Sequence, residues 1–82
     1  MKAITIIKKI EKNGKTSIEQ VELLTKALHR EGRLAENKMV RFRPLYGDFD
    51  IVNADLMVTK KFNLDLCEPV GGIEELKNRF FD

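Results

Sequence analysis

The chain has 82 residues, 43% apolar and 34% charged, with a formal net charge of +2. That length supports one compact domain, residues 1–82, and the composition excludes disordered and fibrous classes. One cysteine, Cys67, and one histidine, His29, exclude an intramolecular disulfide and a Cys- or His-rich metal site.

The lone cysteine fits a reducing cytosol and reads as a small buried hydrophobe. The first ten residues, MKAITIIKKI, hold only a five-residue weakly apolar stretch before Lys8-Lys9. A signal peptide needs a longer apolar region, and a membrane span needs about 20 apolar residues. A cytoplasmic location without membrane insertion is expected.

In the first element, Ala3, Ile6, Ile7 and Ile10 fit one helical face, with Gly14 just past its end. Ile4-Thr5-Ile6 and Asn13-Gly14 also suit a strand entering a hairpin, so residues 2–12 stay open between helix and strand; the helix explains more of the apolar positions. The second element is a helix over residues 17–31. Thr16 with Glu19, or Ser17 with Gln20, can form its capping box. Ile18, Val21, Leu24 and Leu28 make its stripe, widened by Leu23 and Ala27; His29 and Arg30 suit its negative end, and Gly32 stops it.

Residues 38–43 alternate, with Val40 and Phe42 on one side and Arg41 and Arg43 on the other, and Pro44 ends this strand. Leu45 to Asp48 read as a turn. Asp50 or Asn53 can cap a third helix through Ile51, Val52, Leu56, Val58 and Phe62. Leu64 to Cys67 alternate again, before Pro69 and Gly71-Gly72 interrupt regular structure. The last helix runs from Ile73 to Phe80, with Glu74 and Glu75 in its first turn. Pairing 39–43 with 64–67 would put Arg41 or Arg43 across from Asp65. The expected fold is α+β: a small, mostly helical single domain of about four helices with a short two-stranded ribbon.

Catalysis needs a nucleophile with a base, a tuned carboxylate pair or a metal cluster. His29 falls in a helix's last turn, where capping and charge explain it, and Glu74 and Glu75 would repel an anion at Gly71-Gly72. The expectation is no enzyme activity, no cofactor and no metal. Residues 54–65 look like the opening of a helix-turn-helix, but Pro69 and Gly71-Gly72 would break the recognition helix.

Residues 26–43 carry six cations against two anions, and residues 44–82 carry four cations against eight. The asymmetry suits charge-steered encounter with a partner; equally, the two halves would neutralise each other if they met within the fold. In Met39–Asp50, arginine alternates with aromatic residues beside a turn. Arginine and tyrosine dominate protein-contact hot spots. Arg41, Arg43, Tyr46, Phe49 and Arg33 are therefore the candidate partner-binding residues, with Phe49 also able to close the core. One ring of Phe80-Phe81 could serve a partner or a second copy of the chain. Phosphate binding by the basic 26–43 segment, as a small nucleic-acid-binding regulator, is the alternative; a pI of 8.8 makes it the lesser one.

The stretches SIEQVELLTKALHREGRLAENK (17–38) and VRFRPLYGDFDIVNADLMVTKKFNLDL (40–66) resemble the small regulatory proteins of T-even-type phages. In length and cytoplasmic character the chain resembles their accessory lysis-inhibition proteins, the cytoplasmic antiholins. The resemblance implies a non-catalytic protein in the host cytoplasm that binds the cytoplasmic part of a holin and delays lysis. It assigns no site residues.

Overall fold

The computed structural model describes residues 1–53 and 67–82. In chain order these form α1 (Ala3–Asn13), α2 (Ile18–Arg30), β1 (Lys38–Arg43), β2 (Asp48–Asn53), β3 (Cys67–Gly71) and α3 (Ile73–Phe81). The strands make an antiparallel sheet in the order β1-β2-β3. Helix α2 packs on β1, α3 packs on β2 and β3, and α1 packs against both of these helices.

The open first segment is helical. Ala3, Ile6, Ile7 and Ile10 are all buried on one face, and the Gly14 N–H closes the helix on the Ile10 carbonyl at 3.1 Å. In α2, Ser17 and Gln20 form the capping box: the Gln20 N–H donates to Ser17 Oγ and the Ser17 N–H donates to Gln20 Oε1. At its other end the Arg33 N–H reaches the Leu28 carbonyl and the Gly32 N–H reaches that of His29, a Schellman closure. The buried face of α2 is rotated from the expected stripe. Val21, Leu24, Ala27 and Leu28 are inside with Thr25, whereas Ile18 and Leu23 are exposed.

Thr25 belongs on that face because its hydroxyl accepts the Val40 N–H at 3.1 Å. His29 Nε2 donates to the Lys38 carbonyl at 2.6 Å, a second tie from α2 to β1. With α2 bonded along it, β1 is less open to pairing with another chain.

Two expectations about the second half are corrected. The described residues hold three helices and a three-stranded sheet, not about four helices and a two-stranded ribbon. Asp50, Ile51 and Val52, expected to open a third helix, lie in β2; residues 54–62 of that expected helix fall outside the described residues. β2 is the central strand and is buried from Phe49 to Val52, so its apolar residues do not alternate. A short continuous apolar run cannot be assigned to helix or strand by period alone.

β1 pairs with β2, and of the expected partner 64–67 only Cys67 is among the described residues: Val40 faces Ile51, Arg41 faces Asp50, Phe42 faces Phe49 and Arg43 faces Asp48. The expected Asp65 partner lies outside the described residues, and Cys67 pairs with Val52.

Pro69 and Gly71 belong to β3 rather than breaking it. Pro69 sits opposite Asp50 in an outer strand, where a missing N–H is tolerated. The register shifts between Phe49 and Asp50; the extra residue, Val70, packs on the core. Gly71 has φ +115°, and a Cβ there would stand 3.1 Å from Glu75 Cβ and Cγ.

One core joins all three helices to the sheet, through Ile7, Leu24, Leu28, Val40, Phe49, Ile51 and Leu76 among others. No helix among the described residues is long and apolar enough to cross a membrane.

Candidate functional site

The β1–β2 hairpin gathers most of the residues nominated from sequence. Its turn is Pro44-Leu45-Tyr46-Gly47. Proline presets the first turn dihedral, and the Tyr46 and Gly47 N–H groups both donate to the Arg43 carbonyl, at 3.1 and 2.9 Å. Gly47 takes φ +65°, a conformation costly to any residue with a Cβ, and so the chain can reverse into Asp48.

Behind the turn stand two arginine–aspartate pairs on one face of the hairpin. Arg43 Nε and Nη2 donate to Asp48 Oδ1 and Oδ2 at 2.7 and 2.9 Å, a bidentate fork. Two cross-strand pairs further in, beyond Phe42–Phe49, Arg41 makes the same fork with Asp50, through Nε at 2.9 Å and a closer Nη2 contact. The Asp50 side chain is only 5% exposed. Hydrogen bonding from Arg43 holds the Asp48 carboxyl below its ordinary range, and Asp48 and Asp50 in turn raise Arg43 and Arg41. These contacts join the basic 26–43 segment to the acidic half of the chain.

The Arg43 guanidinium lies 4.3 Å from the centroid of the Tyr46 ring. The fork to Asp48 fixes the guanidinium, and the guanidinium fixes the ring. Tyr46 is nevertheless 71% exposed, and neighbouring Leu45 is 94% exposed. The tip therefore presents an aliphatic and an aromatic side chain on a closed, braced turn.

Two nominated residues lie elsewhere. Phe49 is 2% exposed and packs on Phe42 with ring centroids 5.1 Å apart; its place in the surface set is corrected to the core. It shares the inward face with Val40, Phe42 and Ile51, so no partner can reach it without opening the sheet. Arg33 is also separate from the hairpin and braces the helix ends. It donates to the Phe80 carbonyl at 2.9 Å and to Glu31 at 3.1 Å, and covers the Phe81 ring at 4.2 Å. Phe80 and Phe81 are both partly buried against the core.

Glu31 was not singled out in the sequence, yet it joins three elements. Its Oε2 accepts the Ala3 N–H at 2.8 Å at the start of α1, and its Oε1 holds Arg33, which reaches α3. The Ala3 hydrogen bond first, and then Arg33, lower its pKa below the ordinary glutamate value. Nothing local in EGR marks this role; only the antiparallel packing of α1 on α2 brings Ala3 to it.

The hairpin, by contrast, left a legible signal. RFR and DFD mirror each other about PLYG, so folding at the turn sets every arginine opposite an aspartate.

A cleft of about 280 Å³ lies between the α2–β1 loop and α3, floored by Leu34, Ile51 and Phe80 and rimmed by Arg33, Lys38 and Arg79. Arg79 is paired with Glu68 on its edge. None of the residues lining the cleft pairs a nucleophile with a base. No group of three or more metal-ligating side chains is found among the described residues.

The chain matches no protein-family model, no curated protein and no solved structure.

Proposed function

We propose that this chain is a non-enzymatic regulatory protein that acts by binding another protein through the end of its β1–β2 hairpin. One observation carries the reading: Leu45 and Tyr46 stand out from the fold on a turn whose geometry is already fixed by Arg43 and Asp48. Large apolar side chains presented on a rigid element lose little conformational freedom on binding. A tyrosine beside an arginine is a frequent hot-spot pair. Arg41 supports the tip from two residue pairs behind, on the same face, through its fork to Asp50.

The resemblance of residues 17–38 and 40–66 to phage accessory lysis-inhibition proteins supplies the partner class for this reading. That partner is the cytoplasmic part of a holin, met in the host cytoplasm, and the outcome is delayed lysis.

The test is affinity capture from cells of the native context, with the chain and its Leu45→Ala/Tyr46→Ala variant side by side. Removing an anchor of this kind costs about 2 kcal/mol or more of binding, roughly thirtyfold in affinity. The variant should lose its partner while its melting temperature stays within a few degrees, because both side chains are exposed. Equal capture by the two proteins would refute the hairpin tip as the contact. Capture of a partner other than a holin would refute the antiholin reading alone.

A further inference from the structure

The arginines of the 26–43 segment are largely engaged, so among the described residues the densest run of exposed, unpaired cations lies elsewhere. It is on α1. Lys8, Lys9 and Lys12 are exposed, and Lys2 and Lys15 flank the helix at its two ends. At 100° per residue, Lys8, Lys9 and Lys12 fall opposite the buried face of Ala3, Ile6, Ile7 and Ile10. Glu11 is the only acid of the helix, and it is turned aside to Lys77 of α3, at 3.8 Å. Among the described residues none of the five lysines has an ion-pair partner.

Lys8 and Lys12, one turn apart, repel each other, as do Lys9 and Lys12. The fold thus holds a line of like charge that its own packing does not use. A core-facing helix needs polar residues on its outer side, but not this sign at every strong charge.

The residue type points to the kind of partner. Lysine is a compact, strongly hydrated point charge and is depleted in dry protein interfaces. It suits a hydrated array of phosphates, where contacts displace condensed counterions. An anionic bilayer is the poorer match. Interfacial helices sink an apolar face into the lipid, and every apolar side chain on the inner face of α1 is already in the protein core. The lysine face also carries no arginine or aromatic ring to stack on bases, and lysine meets phosphates as a point charge.

We propose that α1 is a sequence-independent docking surface for the phosphate backbone of a nucleic-acid duplex, with Lys8, Lys9 and Lys12 as the central contacts and Lys2 and Lys15 at the ends. This surface uses none of the hairpin residues and stands independently of the proposed protein contact.

The test is fluorescence anisotropy of a labelled duplex of about 20 base pairs across roughly 50 to 200 mM salt. Three to five phosphate contacts give a log–log salt slope of about −2.7 to −4.5, so affinity should fall about 40- to 500-fold over that range. Scrambling the duplex sequence should change nothing. The Lys8→Gln/Lys9→Gln/Lys12→Gln variant should flatten the slope by about 2.7 while melting no lower than the parent, since it relieves repulsion. The proposal is overturned by three results. One is no binding at low salt. Another is an unchanged slope in the folded triple variant. The third is binding to phosphatidylserine-containing vesicles with none to the duplex.

Discussion

Replacing Thr25 with valine nearly preserves shape but removes the only acceptor given to the Val40 N–H on that side of β1. Thr25 is 8% exposed and Val40 is 1% exposed, so water cannot readily substitute. Leaving a buried backbone donor unpaired costs about 1–3 kcal/mol, and the added methyl returns up to about 0.8 kcal/mol of burial. The net loss should be about 1–2 kcal/mol, out of a total on the order of 4–12 kcal/mol for a chain of this length.

For a domain of this size that corresponds to a fall of roughly 4–16 °C in melting temperature. Thermal unfolding by circular dichroism gives the global number, and amide hydrogen exchange gives the local one. The Val40 amide should lose protection in Thr25→Val and keep it in Thr25→Ser, where the hydroxyl remains although a methyl is lost. If Thr25→Val melts with the parent and its Val40 amide stays protected, the helix–strand hydrogen bond is not what secures the β1 edge, and the reasoning fails.

Glu31 should make stability pH-dependent. Its folded-state pKa is lowered, so its contribution is present above the ordinary glutamate range and is lost as pH falls through the lowered value. Glu31→Gln should therefore melt below the parent at neutral pH, with the gap closing in melts taken at pH values below the ordinary glutamate range; a gap constant with pH would contradict the assignment. At the β3–α3 junction, Gly71→Ala should cost more than Gly72→Ala in denaturant melts. Gly71 has φ +115° and its added Cβ would press on the stem of Glu75, whereas Gly72 is extended and would meet only the carboxylate tip. Equal costs would show that neither the backbone angle nor that contact constrains the turn.

The second and last helices were legible because their signals are local, whereas the first stayed open between helix and strand and the helix expected to open at Asp50 is a strand there. In α1 the spacing of Ala3, Ile6, Ile7 and Ile10 settles which face is buried, and in α2 Ser17 and Gln20 mark the start by direct hydrogen bonding across one turn. In α3, Glu74 and Glu75 mark the positive end of the helix and Arg79 lies in its last turn. The end of β1 at Pro44 was equally clear, as was the turn beyond it. At the site, the types and positions of Arg41, Arg43 and Tyr46 were visible in sequence, and the mirror of RFR and DFD about PLYG carried their pairing, which the expected ribbon with 64–67 passed over.

Tertiary structure decided everything that depended on two distant segments meeting. Phe49–Val52 is a strand because it is the middle of a sheet, flanked by β1 and β3, a circumstance absent from its own four residues. Arg41 and Arg43 are a braced ladder rather than a free basic patch because β2 sets Asp50 and Asp48 opposite them. Arg33 and Glu31 bind helix ends because the packing of α1 and α3 brings the Ala3 N–H and the Phe80 carbonyl to them. Periodicity and capping are written within a few residues of chain, and they marked the second and last helices. Charge pairing is a property of register and packing, so which cations are spent within the fold and which face outward was settled only when the strands and helices met.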